Sequence, residues 1–191
     1  MGRLIETLLT PTFRWSIYQN MKTHSGFTLI ELLVTLAIAV ILTMVAVPGF
    51  RSIIQNNRAS TQANELLTAL TLARSEAIKR AANVSICSSA NQATCAASTD
   101  WSTGWIIFTD TSGVAGVLDA TDVLIRAWEP LSGNTALTTV AANNVQFLSS
   151  GLTTASTSFT LLTPECTGNN QQVIAVSATG RGHTTAAACP P

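Results

Sequence analysis

Charge is scarce in this chain. Ten Lys/Arg and ten Asp/Glu occur in 191 residues, and they cancel. So neutral a composition offers no bulk electrostatic field for nucleic acid, and any such binding must be local. Histidine is scarcer still, with only His24 and His183. No nucleophile with a base partner and no Gly-rich phosphate loop can be found, which argues against an enzyme. Residues 1–26 contain Arg3, Arg14 and Lys22 but no long apolar stretch, so they are not a secretory signal peptide, which needs an apolar core before its cut.

The longest charge-poor stretch follows directly. After Gly26 an apolar run opens with Phe27-Thr28-Leu29-Ile30-Glu31-Leu32, and no charge other than Glu31 appears before Arg51. From Phe27 to Val47 the run would span about 31 Å as a helix, enough for one bilayer crossing. A carboxylate in hydrocarbon costs roughly 2.5–3.5 kcal/mol on insertion scales, so Glu31 is not an incidental residue. Lys22 on the near side predicts that the leader stays cytoplasmic and that everything after the span lies across the membrane. Pro48-Gly49 follows at once and predicts a break or kink, because proline removes a backbone donor and clashes with the preceding turn.

The string Gly26-Phe27-Thr28-Leu29-Ile30-Glu31-Leu32 resembles the processing site of type IV pilins and of the pseudopilins of type II secretion. The resemblance implies cleavage between Gly26 and Phe27 by prepilin peptidase, N-methylation of the new N-terminal Phe27, and charge pairing of Glu31 with a neighbouring subunit's N-terminus during assembly. It also implies a leader over 1–26. Met21 would start a short polar leader of the family's usual kind, with residues 1–20 as an upstream extension. Pro48, twenty-two residues into the processed chain, stands where pilins often carry a proline. Partners implied are other minor pilins or pseudopilins, the inner-membrane assembly platform, and membrane lipid before assembly. The expected location is the bacterial inner membrane, single-pass with a periplasmic C-terminal domain, and then the pilus or pseudopilus. No cofactor is implied.

After the expected cut 165 residues remain, enough for one modest domain behind the anchor. They keep seven Lys/Arg and nine Asp/Glu, a difference of minus two. Four cysteines, Cys87, Cys95, Cys166 and Cys189, would lie in a compartment where disulfides persist. Three pairings are possible. Cys87–Cys95 with Cys166–Cys189 is favoured because each bond is local, at about 2.5 and 3.5 kcal/mol on the loop-entropy estimate. Zinc is the alternative, but the spacings are not C-x-x-C and His183 is the only histidine left.

Residues 48–80 continue the helix of 27–47 to a total near 80 Å, with Leu66, Leu67, Leu70, Ala73, Ala77 and Ile78 as one apolar stripe. Glu76 and Arg80 are placed for an i,i+4 pair. From 81 to 191 the pattern turns to strands. Val84–Cys87, Asp100–Asp110, Val123–Trp128, Val145–Leu148, Ser158–Leu162 and Val173–Ser177 read as strands, with polar loops between them. The fold class is therefore α+β: a long N-terminal helix, membrane-embedded in its first half, followed by a mostly antiparallel β domain.

Trp101, Gly104, Trp105, Phe108 and Asp110, then Asp119, Asp122 and Arg126 in a V-L-I-R strand, resemble the globular domain of the GspH, FimT and FimU branch of minor pilins and pseudopilins. That likeness implies two packed β-sheets on the second half of the helix and a low-abundance subunit near the filament tip. Taken by themselves, Trp101 and Trp105 read as core. Asp119 and Asp122 lack the alternating spacing of a calcium loop and read as a solvated turn. Arg126 reads as an ion-pair partner or a solvated residue.

Ala178-Thr179-Gly180-Arg181-Gly182-His183 reads as a turn, with the tail returning to Cys189. Some FimT-like proteins carry Gly-Arg-x-Arg here and bind DNA during natural transformation. In this chain His183 replaces the second Arg. A histidine is mostly neutral near pH 7 and cannot make the bidentate phosphate contact of arginine. Arg181 and His183 are thus the candidate DNA contacts, with Arg74, Lys79 and Arg80 able to help only if they lie near Arg181. A structural subunit of a pilus or a secretion pseudopilus is the first functional expectation, and a DNA-binding minor pilin the alternative.

Overall fold

A computed structural model describes residues 26–111, 114–140 and 143–191. The expected leader and the Met21 start lie outside the described residues. The chain divides into two compact units, Met1–Thr43 and Met44–Pro191. Helix α1 runs from Leu29 to Arg80, and eight strands follow: β1 (Val84–Ser88), β2 (Trp105–Thr109), β3 (Leu124–Trp128), β4 (Ala136–Thr139), β5 (Asn144–Phe147), β6 (Thr157–Leu162), β7 (Gln171–Val176) and β8 (Gly182–Ala187).

In the first unit, the described part is the start of α1 with its apolar side chains exposed, from Leu29 to Leu42. Thr35 donates its hydroxyl to the Leu32 carbonyl at 2.9 Å, so this polar side chain is satisfied inside the helix.

In the second unit, α1 continues through Pro48 and Gly49 without interruption. The expected break is therefore not a break in the helix. Proline withholds one donor, and the turns on either side keep theirs; Ser52 Oγ donates to the Gly49 carbonyl at 2.8 Å. The eight strands form two antiparallel sheets of four, ordered β3-β2-β1-β5 and β4-β6-β7-β8. One core cluster joins α1 to both, with Ala63, Leu66, Leu70 and Ala73 from the helix, Ile86, Ile107 and Phe147 from the first sheet, and Leu137, Phe159 and Ile174 from the second.

The helical face that meets the sheets is rich in alanine: Ala59, Ala63, Ala69, Ala73 and Ala77 are all fully buried. Small side chains let a helix approach a sheet closely, and alanine costs nothing in helix propensity. Leu66, Leu70, Ala73 and Ala77 of the expected stripe are buried, and Leu67 is partly so. Ile78 departs from it at 50% exposed. Glu76 does pair with Arg80, Nε to Oε2 at 2.6 Å, and also with Lys79 at 3.4 Å. The Arg80 hydrogen bond, with Lys79 beside it, holds the Glu76 carboxyl below its ordinary range against the opposing effect of burial.

β1 and β2, in the middle of the first sheet, are buried on both faces, and Trp105–Phe108 of β2 is a continuous apolar run. The outer face of this sheet carries a second cluster of Cys87, Ile106 and Phe108, closed by Cys95 and Leu118. Two disulfides are formed, Cys87–Cys95 and Cys166–Cys189, both as expected from their local spacing.

Six strands were expected and eight are present among the described residues; the one expected over Asp100–Asp110 is shorter, running only from Trp105 to Thr109 as β2. The additional ones are β4 and β8. Leu137 is the only large apolar residue of β4, and β8 reads Gly-His-Thr-Thr-Ala-Ala, so neither shows a hydrophobic alternation. The turn expected over Ala178–His183 is shorter than predicted. It ends at Arg181, and His183 sits in β8, paired across from Ala175.

Candidate assembly and binding sites

The first turn of α1 is built around Thr28. The Glu31 backbone N–H donates to Thr28 Oγ1 at 3.3 Å, and the Leu32 N–H donates to the Thr28 carbonyl at 3.1 Å. Thr28 is thus the N-cap, and Glu31 stands three residues on, the spacing of a capping box. This role was missed from the sequence, although the string Thr-Leu-Ile-Glu before an apolar run is its standard cue. Glu31 is exposed, as is Phe27 at 82%. The helix is long and apolar enough to cross a membrane, and the side chains of its apolar part are exposed.

Within the β domain, the residues of the Trp-Gly-Trp-Phe-Asp string take distinct positions. Trp101 is fully buried, edge-on to Phe159 with centroids 4.8 Å apart. Trp105 is fully buried and stacks on Trp128 at 6.1 Å. Gly104 has φ of 102°, and a Cβ there would lie 2.4 Å from the Trp128 carbonyl oxygen, so the close passage of two chain segments requires glycine. Asp110 is 4% exposed. Its Oδ2 accepts from Ser85 Oγ, from Gln146 Nε2 at 2.8 Å and from the Gly116 N–H at 2.8 Å. This carboxylate ties β1, β5 and the β2–β3 loop together.

Asp119 and Asp122 cap their own loop. Asp119 Oδ1 accepts from Thr121, and Asp122 Oδ1 and Oδ2 accept from the backbone N–H groups of Thr111 and Asp119. Arg126 is exposed and makes no ion pair among the described residues. Its guanidinium lies 4.7 Å from the centroid of the Trp128 ring.

The Arg181 turn is held from three sides. Its carbonyl accepts from the Ser177 N–H at 3.0 Å, and Thr153 donates its hydroxyl to the Ser177 carbonyl at 3.0 Å. Arg74 Nε donates to the Gly151 carbonyl at 2.9 Å. A Cβ on Gly180 would meet that same carbonyl oxygen at 2.1 Å and Arg74 Nε at 3.0 Å. Arg74 therefore lies against the turn that carries Arg181, while Lys79 and Arg80 are engaged with Glu76. Arg181 and His183 are both exposed.

Comparison with known proteins gives two family matches. Residues 62–180 match the model for the type II transport protein GspH, and residues 21–47 match the prokaryotic N-terminal methylation motif. No curated protein matches the chain. Among solved structures, the type IV minor pilin FimU of Pseudomonas aeruginosa is similar in two crystal forms, each at 21% identity. One covers 68% of this chain and 89% of its own with a TM-score of 0.54; the other covers 66% and 91% with 0.51. These likenesses establish a shared fold. The methylation motif carries processing by prepilin peptidase, and the family is one of structural subunits that associate with other pilins or pseudopilins. With the GspH model spanning more than half its length, the chain belongs to the GspH family of pilin-like type II transport proteins.

Proposed function

We propose that this chain is a minor pilin or pseudopilin, a structural subunit for assembly of a type IV pilus or a type II secretion pseudopilus. On this reading prepilin peptidase cuts between Gly26 and Phe27, and Phe27 is N-methylated. The processed chain waits in the inner membrane with its C-terminal domain in the periplasm. The assembly platform then draws it into the filament. The observation that carries the reading is Glu31: the one charged side chain on α1 before Arg51, exposed on its first turn amid exposed apolar residues. An unpaired carboxylate there favours the positively charged N-terminus of a neighbour over hydrocarbon.

Replacing Glu31 by alanine should lower incorporation into filaments by at least about tenfold, the equivalent of about 1.4 kcal/mol. Immunoblotting of sheared filaments against the membrane fraction measures this. Normal incorporation of Glu31→Ala would refute the assembly role.

A second reading, DNA uptake, is favoured by one observation: Arg74 packs against the turn that carries the exposed Arg181. On that reading the full chain in mild detergent binds labelled duplex DNA, binding weakens as salt rises, and Arg181→Ala lowers affinity severalfold. Absence of salt-sensitive binding in fluorescence anisotropy leaves the structural subunit alone.

A further inference from the structure

A groove of about 500 Å³ opens beside α1 at the end of the apolar run. Val47, Arg51 and Gln55 line it from one face of the helix at i, i+4 and i+8, with Ile54 in the adjoining recess. The opposite wall is Glu165 and Thr167, on either side of Cys166 of the Cys166–Cys189 disulfide, with Pro164 in the adjoining recess. The groove thus presents one cation and one anion, yet neither Arg51 nor Glu165 makes an ion pair among the described residues. Gln55 Oε1 is buried and has no hydrogen-bond partner among the described residues. Glu165 is held at φ of 57°, an unusual conformation for a non-glycine residue, immediately before the disulfide. Opposite charges that line one groove without meeting leave room for a molecule that carries both.

We propose that this groove holds the headgroup of a phospholipid with a primary ammonium, phosphatidylethanolamine, while the subunit resides in the membrane. The proposal rests on the membrane-anchored reading given above. Val47 is the last residue of the run that crosses the hydrocarbon, so Arg51, one turn on, falls at headgroup level. The Arg51 guanidinium takes the phosphate, for which its planar donor fork is suited. The Glu165 carboxylate and Gln55 Oε1 accept from the ammonium. Val47, Ile54 and Pro164 face the glycerol and the first acyl carbons. The charge pattern selects against the alternatives. A choline headgroup has no N–H to donate to Glu165, and a net anionic headgroup meets the Glu165 carboxylate.

Native mass spectrometry of the full chain in mild detergent, with equimolar phosphatidylethanolamine, phosphatidylcholine and phosphatidylglycerol, tests this. The expected result is a severalfold excess of the phosphatidylethanolamine adduct. Glu165→Gln should remove the excess over phosphatidylcholine and raise the phosphatidylglycerol adduct. Arg51→Gln should reduce all three. Equal adducts from the unaltered chain, or an excess that survives both substitutions, would overturn the proposal. So would unchanged adducts in a Glu165→Gln chain that no longer enters filaments, which would assign the groove to a neighbouring subunit. Flotation with phosphatidylcholine vesicles separates the two levels. A chain that floats but shows no lipid preference loses only the groove's occupant; a chain that fails to float loses the anchored reading and the occupant with it.

Discussion

Trp101→Ala is expected to destabilise the β domain by about 3–5 kcal/mol, the usual range for removing a large buried aromatic. Domains of this size are stable by only about 5–15 kcal/mol in total, so the change would consume a large part of the margin. The expectation follows from the place of the ring. Trp101 is fully buried and meets Phe159 edge-on. Its backbone N–H donates to the Leu137 carbonyl at 2.8 Å, and Asp100 bridges to Thr138, so its segment extends the second sheet beyond β4. Truncation would open a cavity where the long β1–β2 connection is pinned to that sheet. Urea unfolding of the full chain in mild detergent, followed by far-ultraviolet circular dichroism, reads the effect. A loss under about 1 kcal/mol would mean that the site collapses around the smaller residue and that Trp101 is not an anchor.

Asp110→Ala is expected to cost roughly 3 kcal/mol, by a different mechanism. Removal of the carboxylate leaves the Ser85 hydroxyl, the Gln146 amide and the Gly116 N–H without their acceptor. Ser85 is fully buried and Gln146 nearly so, so water cannot readily replace it. Asp110→Asn keeps the shape and one acceptor oxygen while adding two donors that have nothing to meet, and an intermediate loss is expected. Hydrogen exchange of the β2–β3 loop supplies a local readout. Faster exchange there in Asp110→Ala, with little change in β7, would place the lesion at this network, whereas uniform acceleration would indicate global destabilisation only.

Both of these residues belong to a string that could be singled out from the sequence, but only one of their roles could be read there. Burial of Trp101 and Trp105 follows from their size. The role of Asp110 does not, because its three donors come from positions 85, 116 and 146 and meet only when the first sheet closes. The strands that sequence reasoning found, such as the one expected within Asp100–Asp110, are those with large apolar residues. β4 and β8 escape because each is a strand by virtue of its neighbour's hydrogen bonds. The alanine face of α1 is invisible for a related reason: Ala59, Ala63 and Ala69 differ little in type from exposed helical residues, and only contact with the sheets distinguishes them. Pro48 is a partial case: a local rule predicted a break or a kink, and α1 runs on through it without a break. The Arg126 contact with Trp128 was open to discovery, since the two residues share one face of β3 two positions apart.

The order in which the strands are used has a kinetic consequence. The chain lays down β1, β2 and β3 in one sheet, crosses to the other for β4, returns for β5 beside β1, and crosses again for β6, β7 and β8. Neither sheet can therefore be completed as an independent hairpin stack, because the first waits for β5 and β5 is flanked in sequence by members of the second. Pairings between segments so far apart carry a loop-closure cost before they return any stability, which slows folding. The interleaving also couples the sheets, so that neither retains its full set of partners when the other comes apart, and an all-or-none transition is the natural behaviour of such a path.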